Sequence, residues 1–159
     1  LGGVFFQMEL YDQHIYQVLT KRPRRMETYV GRRWAERQPP THIWLGTSVE
    51  NRAWADVRVP ALLRTPAAVR FLSVEPMLGP VSLSAYLPGL QWVICGAESG
   101  PRRRPFDLDW ARALRDQCVA TGVPFFFKQG PAFKPGQNRV LDGRTWDEMP
   151  IPAQAGMPL

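Results

Sequence analysis

Apolar residues gather in five short runs, each followed by a polar cluster. His14 to Leu19 closes on Thr20-Lys21-Arg22-Pro23. His42 to Leu45 breaks at Gly46 and gives Thr47-Ser48-Val49-Glu50-Asn51. Val69 to Leu72 ends in Ser73-Val74-Glu75-Pro76. Trp92 to Cys95 breaks at Gly96 and delivers Ala97-Glu98-Ser99-Gly100, then Arg102-Arg103-Arg104. Val123 to Phe127 ends in Lys128-Gln129-Gly130. Such short, near-continuous apolar runs suit strands buried on both faces.

Helical periodicity fills the gaps. Met26, Tyr29, Val30 and Trp34 predict a helix from Arg24 to Gln38, ended by Pro39-Pro40. Trp54, Val57, Ala61 and Leu62 predict an inward face for a helix from Asn51 to Arg64, kinked or split at Pro60. Gly79 to Leu87 gives at most two turns. Asp107 caps a helix from Leu108 to Thr121, with Trp110, Leu114, Cys118 and Val119 inward and Gly122 as its stop. Phe5 to Tyr11 fits the tail of a helix but is too short to assign. Beyond Gly130 the chain turns Pro- and Gly-rich; Asp142-Gly143 predicts a small hairpin, and the last ten residues are expected to be poorly ordered.

Strand starts recur every ~23–31 residues, the spacing of successive βα units. Right-handed crossovers make the strands parallel and bring every polar end to one edge. A full eight-stranded barrel takes about 250 residues. The expected fold is therefore α/β: parallel βα repeats over residues 1–130 forming a partial, about five-stranded TIM-like barrel or an open sheet. Residues 131–159 supply a hairpin and tail packed on it or trailing from it. The first strand would be an exposed edge through which the chain could self-associate.

Composition narrows the partners. The chain has 159 residues, net charge +6 and two cysteines, Cys95 and Cys118. No apolar run approaches the roughly 18–20 residues that span a bilayer, so no membrane partner is expected. The start lacks a signal-peptide pattern and a methionine; the plain expectation is a cytoplasmic protein, trimmed or gene-truncated at its N-terminus. The cysteines lack a ligand-spaced partner, so they read as buried structural thiols and no metal motif is expected. The arginine excess suits phosphate contacts, making nucleic acid or a phosphate-bearing ligand a candidate partner. His14 and His42 start strands on the opposite edge and read as structural.

The candidate site is the row of strand ends, because ligands of parallel α/β folds bind there. Glu75 and Glu98 are the candidate catalytic carboxylates. Thr20, Lys21, Arg22, Ser48, Glu50, Ser73, Ser99, Arg104, Lys128 and Gln129 are candidate ligand-binding residues. Structural ion pairs, Glu75 with Lys21 or Glu98 with Lys128, are an equally simple account. Arg102 to Arg104, before a helix N-terminus, could also hold an anion.

Several blocks resemble a known family. Thr20-Lys21-Arg22-Pro23, Trp44 to Glu50, Ser73 to Pro80, and Gly96 to Pro101 with Arg104-Pro105 are similar to conserved blocks of the phage Gp-thirty-seven/Gp-sixty-eight family of uncharacterised proteins. Arg115 to Cys118, Phe126 to Gln129 and Leu141 to Arg144 continue the match, which runs from about Gln17 to Pro150. That family looks like radical S-adenosylmethionine enzymes. The resemblance implies S-adenosylmethionine, an iron–sulfur cluster and the C-terminal half of an enzyme acting on nucleic acid or a nucleotide. The cysteine motif is absent here, so no cofactor is expected on this chain. Ala97 stands where the family usually has glycine, which requires a negative φ. A non-enzymatic module binding an anionic partner is the alternative, and a glycoside-type hydrolase using Glu75 and Glu98 the third.

Overall fold

The computed structural model describes residues 1–151. Five strands, β1 (Tyr16–Thr20), β2 (Ile43–Ser48), β3 (Arg70–Val74), β4 (Trp92–Gly96) and β5 (Phe125–Gln129), form one parallel sheet in the order β1-β2-β3-β4-β5. β1 and β5 do not pair, so the sheet is open. The expected α/β fold is observed in this open form. Four α-helices accompany it: α1 (Gly2–Leu10), α2 (Pro23–Arg33), α3 (Arg52–Arg64) and α4 (Leu108–Thr121).

Alternation along the strands sorts side chains onto two faces. Ile43, Leu45, Leu72, Val74, Val93, Cys95, Phe125 and Phe127 share one core with apolar residues of all four helices. Trp44, Phe71, Trp92 and Ile94 make a second cluster with Phe126 on the other face. Every helix thus packs on one side, as sequential right-handed crossovers demand. The opposite face is filled by its own aromatic rings. Trp92 stands at their centre, 5.9 Å from Trp44, 5.7 Å from Phe71 and 6.0 Å from Phe126 between ring centroids.

The strands run further than the apolar runs predict. Gly46 lies inside β2, where a break is expected, while Gly96 is the last residue of β4, at a shift of register against β5. Both are sites of close approach. A Cβ on Gly46 would lie 2.5 Å from the Phe71 ring, and one on Gly96 would lie 2.8 Å from Oε2 of Glu75. Thr47, Ser48, Ser73, Lys128 and Gln129 likewise belong to strands.

Two helix faces depart from expectation. α3 is one continuous helix through Pro60, and its buried residues are Ala55, Arg58, Val59, Ala61 and Leu62. Trp54 and Val57 are exposed. The helix is turned so that a charged residue, Arg58, points inward. On α4, Ala111, Leu114 and Cys118 are buried while Val119 faces solvent. Asp107 caps α4 by accepting from the Asp109 N–H at 2.9 Å, and Gly122 ends it with φ of 69°.

The two sheet edges differ. Beyond β5, Trp146 to Glu148 runs antiparallel, with Phe127 N–H donating to the Trp146 carbonyl at 2.7 Å. No strand among the described residues pairs with the outer edge of β1. α1 lies near it, held by Glu9, which accepts from Arg33 and from the Trp34 indole at 2.7 and 2.8 Å. The predicted hairpin forms from β6 (Val140–Leu141) and β7 (Arg144–Thr145), with Asp142 and Gly143 both at positive φ, at 53° and 75°. Of the last ten residues, expected to be poorly ordered, 152–159 lie outside the described residues. Ala97 is not among the described residues with positive φ.

Candidate functional site at the strand ends

The parallel ladder brings Thr20, Ser48, Val74, Gly96 and Gln129 to one edge, and the residues following them form a shared rim. β1 closes with Thr47 Oγ1 donating to the Thr20 carbonyl at 2.7 Å, while Thr20 Oγ1 accepts from the Arg22 N–H at 3.0 Å. Those bonds fix where Lys21 and Arg22 leave the sheet.

The rim carboxylates are held in three separate groups of ion pairs. Glu50, after β2, lies 2.5 Å from Lys21 Nζ and accepts from Arg58 at 2.9 Å. Glu75, after β3, sits across Gly96 and pairs with Lys128 at 3.1 Å; Ser73 Oγ reaches its other oxygen at 3.4 Å. Glu98, after β4, is clasped by Arg104 through Nε at 2.8 Å, Nη2 at 3.0 Å and the backbone N–H at 3.0 Å. Glu75 and Lys128 therefore meet, while Glu98 turns to its own loop. The simple ion pairs expected, Glu75 with Lys21 and Glu98 with Lys128, are each replaced by a different partner.

Electrostatics follow these contacts. Hydrogen bonds from Arg104 hold the Glu98 carboxyl at about 2. Burial alone would raise the Glu50 carboxyl, but Lys21 and Arg58 together hold it below the usual carboxylate range. A Glu98 so firmly ionised has no proton to give near neutral pH, so in a glycoside hydrolysis it fits the base or nucleophile and not the acid.

Arg58 is the site residue that the pattern of the chain concealed. It is 8% exposed, donates from Nη1 to the Ser48 carbonyl at 2.8 Å as well as to Glu50, and stacks 4.0 Å from the centre of the Trp54 ring. Trp54, one turn of α3 before Arg58, is the signal that could have found it, through the i,i+4 cation–π spacing of Trp54 and Arg58.

Other candidate residues serve the scaffold. Gln129 is buried, donates to the Ala97 carbonyl at 2.8 Å and accepts from Gly136 N–H at 2.7 Å, tying down the loop beyond β5. Ser99 forms an isolated bridge with Ala132. Arg103 donates to the Gly100 carbonyl at 3.1 Å, and the α4 N-terminus beside the arginine run is already capped by Asp107. His42 bonds the Met8 carbonyl at 2.9 Å.

Neither cysteine fits an iron–sulfur cluster. Cys95 and Cys118 are both buried in the helix-side core, where burial pushes the Cys95 thiol up and the Cys118 thiol to about 12. Among the described residues no group of His, Cys, Asp or Glu is placed to hold a metal ion. No described helix is long and apolar enough to cross a membrane.

Residues 1–150 match the family described as Protein of unknown function (DUF5131). The chain belongs to that uncharacterised family. No curated protein and no solved structure matches it.

Proposed function

We propose that this DUF5131 chain binds a phosphate-bearing ligand, nucleic acid before all others, along the strand-end rim and the adjoining face of α2. One observation carries the reading: where the unpaired cations lie. Lys21, Lys128 and Arg104 are spent on rim carboxylates. Arg22, Arg24, Arg25 and Arg32 make no ion pair among the described residues, and all are exposed. Arg25, Thr28, Tyr29 and Arg32 line one groove on α2. Arg102 and Arg103 extend the same unpaired character to the loop after β4.

Clustered like charges without counter-ions repel one another, and phosphates relieve that repulsion. Guanidinium forks also match phosphate oxygens better than lysine does. A hollow of about 260 Å³ beside Arg22 and Arg25, walled by Phe5, Val18, Met26 and Tyr29, gives an apolar neighbour for a base.

A second reading keeps the ligand and adds chemistry: the C-terminal half of a barrel enzyme related to radical S-adenosylmethionine proteins. Support comes from the sequential parallel winding and from the strand-end blocks similar to the phage family. The cysteines of this chain supply no cluster ligands for it.

The test is binding against salt. Affinity for a single-stranded oligonucleotide should fall linearly on logarithmic axes, and reversing Arg22, Arg25 and Arg32 to Glu should flatten the slope by about 0.7 per lost contact. A flat response from the unaltered protein would overturn the reading.

A further inference from the structure

Glu50 is held differently from every other carboxylate on the rim. It is 7% exposed, and a charge so withdrawn from water persists only with partners that compensate it. Its Oε2 has a fixed one in Arg58, itself buried and locked by the Ser48 carbonyl and the Trp54 ring. Its Oε1 is buried, yet among the described residues no donor meets it with hydrogen-bond geometry. The nearest group is Lys21 Nζ at 2.5 Å, on a side chain 58% exposed.

One buried carboxylate therefore has a permanent partner on one oxygen and a removable partner on the other. An exposed lysine gives up little when it swings back into water. A phosphate approaching Lys21 would meet the Glu50 charge directly behind the ammonium, so Lys21 is poorly placed as a phosphate contact. Among the described residues the neighbouring Arg22 has no such carboxylate. A neutral N–H or O–H donor meets no such repulsion, and carboxylates accept such donors from base amines and sugar hydroxyls.

Resting on the nucleic-acid reading above, we infer that Glu50 Oε1 accepts a neutral donor from a nucleotide of the bound strand, and that Lys21 is the cap this donor displaces. Arg22, Arg25 and Arg32 then hold phosphates, while Glu50 selects what the strand carries between them.

The experiment compares the full chain with Lys21→Met and Glu50→Gln. The probes are a mixed-sequence DNA strand, its RNA counterpart, and an abasic strand of tetrahydrofuran–phosphate units, which has no base and no C1′ hydroxyl, of equal length. Removing the cap should tighten donor-bearing strands by about threefold, leave the abasic strand unchanged and keep the salt slope. A gain on DNA and RNA alike identifies base donors; a gain on RNA alone identifies the 2′-hydroxyl. Glu50→Gln should weaken the same strands by about tenfold and spare the abasic one. Should Glu50→Gln fail to fold, Lys21→Met carries the test, because its side chain is exposed. Weaker binding of all three strands by Lys21→Met, with a shallower salt slope, would make Lys21 a phosphate contact and overturn the inference alone. No change on any strand would overturn it equally. If the unaltered protein binds none of the strands, the nucleic-acid reading falls and the inference with it.

Discussion

Glu50 and Glu98 occupy equivalent places, two residues beyond the ends of β2 and β4, and each has an arginine. Their surroundings make them different kinds of group. Glu50 is sunk between β2 and α3, with Arg58 reaching it from below the rim and only Lys21 above. Glu98 stands on an exposed loop, and Arg104 comes from six residues further along the same loop. The first pair ties two elements of the fold together; the second ties a loop to itself. Removing an exposed pair costs little, since water replaces it. Removing one partner of a buried pair strands a charge.

The largest effect is therefore expected at Arg58. Arg58→Ala leaves Glu50 buried without its fixed partner and should cost about 3–5 kcal/mol, read as a lower denaturation midpoint in urea. Glu50→Gln in the Arg58→Ala background should recover part of that loss, because the stranded charge is gone. If the single variant is as stable as the parent, Glu50 is no more embedded than Glu98, and the contrast between them disappears.

Glu75 falls between the two, and its test is steric. An Ala side chain at Gly96 would bring Cβ to 2.8 Å from Oε2 and 3.3 Å from Cγ of Glu75. The carboxylate must shift, and with it the contact to Lys128. Gly96→Ala should cost about 1–3 kcal/mol by denaturation, less than Arg58→Ala because a side chain can yield where a stranded charge cannot. A neutral outcome would mean that Glu75 already moves freely over Gly96.

The chain itself announces some of this and hides the rest. The five apolar runs with their polar endings give the strands, their parallel order and the shared rim, because a strand buried on both faces leaves few other patterns open. Gly46 and Gly96 mislead, since glycine inside a strand and glycine at its end look alike until the Phe71 ring or the Glu75 carboxylate is seen to lie against them. Arg58 is hidden for a related reason. Helical periodicity assigns charged residues outward, and Trp54 and Val57 form an attractive apolar face that the fold leaves in solvent. Only the carboxylate delivered by β2 makes an inward arginine favourable, and that is a contact between elements. The clasp of Glu98 by Arg104 is local, yet the sequence offers three neighbouring arginines and Lys128 as equal candidates.

The smallest effect belongs to that clasp. Arg104→Ala should lower the denaturation midpoint only slightly, because Arg104 is exposed and Glu98 half-buried, so water replaces most of the clasp. Its signature is in titration. Glu98 is held at about 2 by Arg104, against 4.5 for the free side chain. A carboxyl lowered on folding contributes stability above its unfolded value and loses it as the pH falls toward the folded one. The parent should therefore keep the clasp from neutral pH down through about 4.5 and release it only on approaching 2. In Arg104→Ala the Glu98 carboxyl resonance should titrate well above 2, held below the ordinary carboxylate range only by the backbone N–H of residue 104. A Glu98 that still titrates near 2 without Arg104 would place its stabilisation elsewhere, and the loop after β4 would then be as much a part of the scaffold as the ion pair beneath β2.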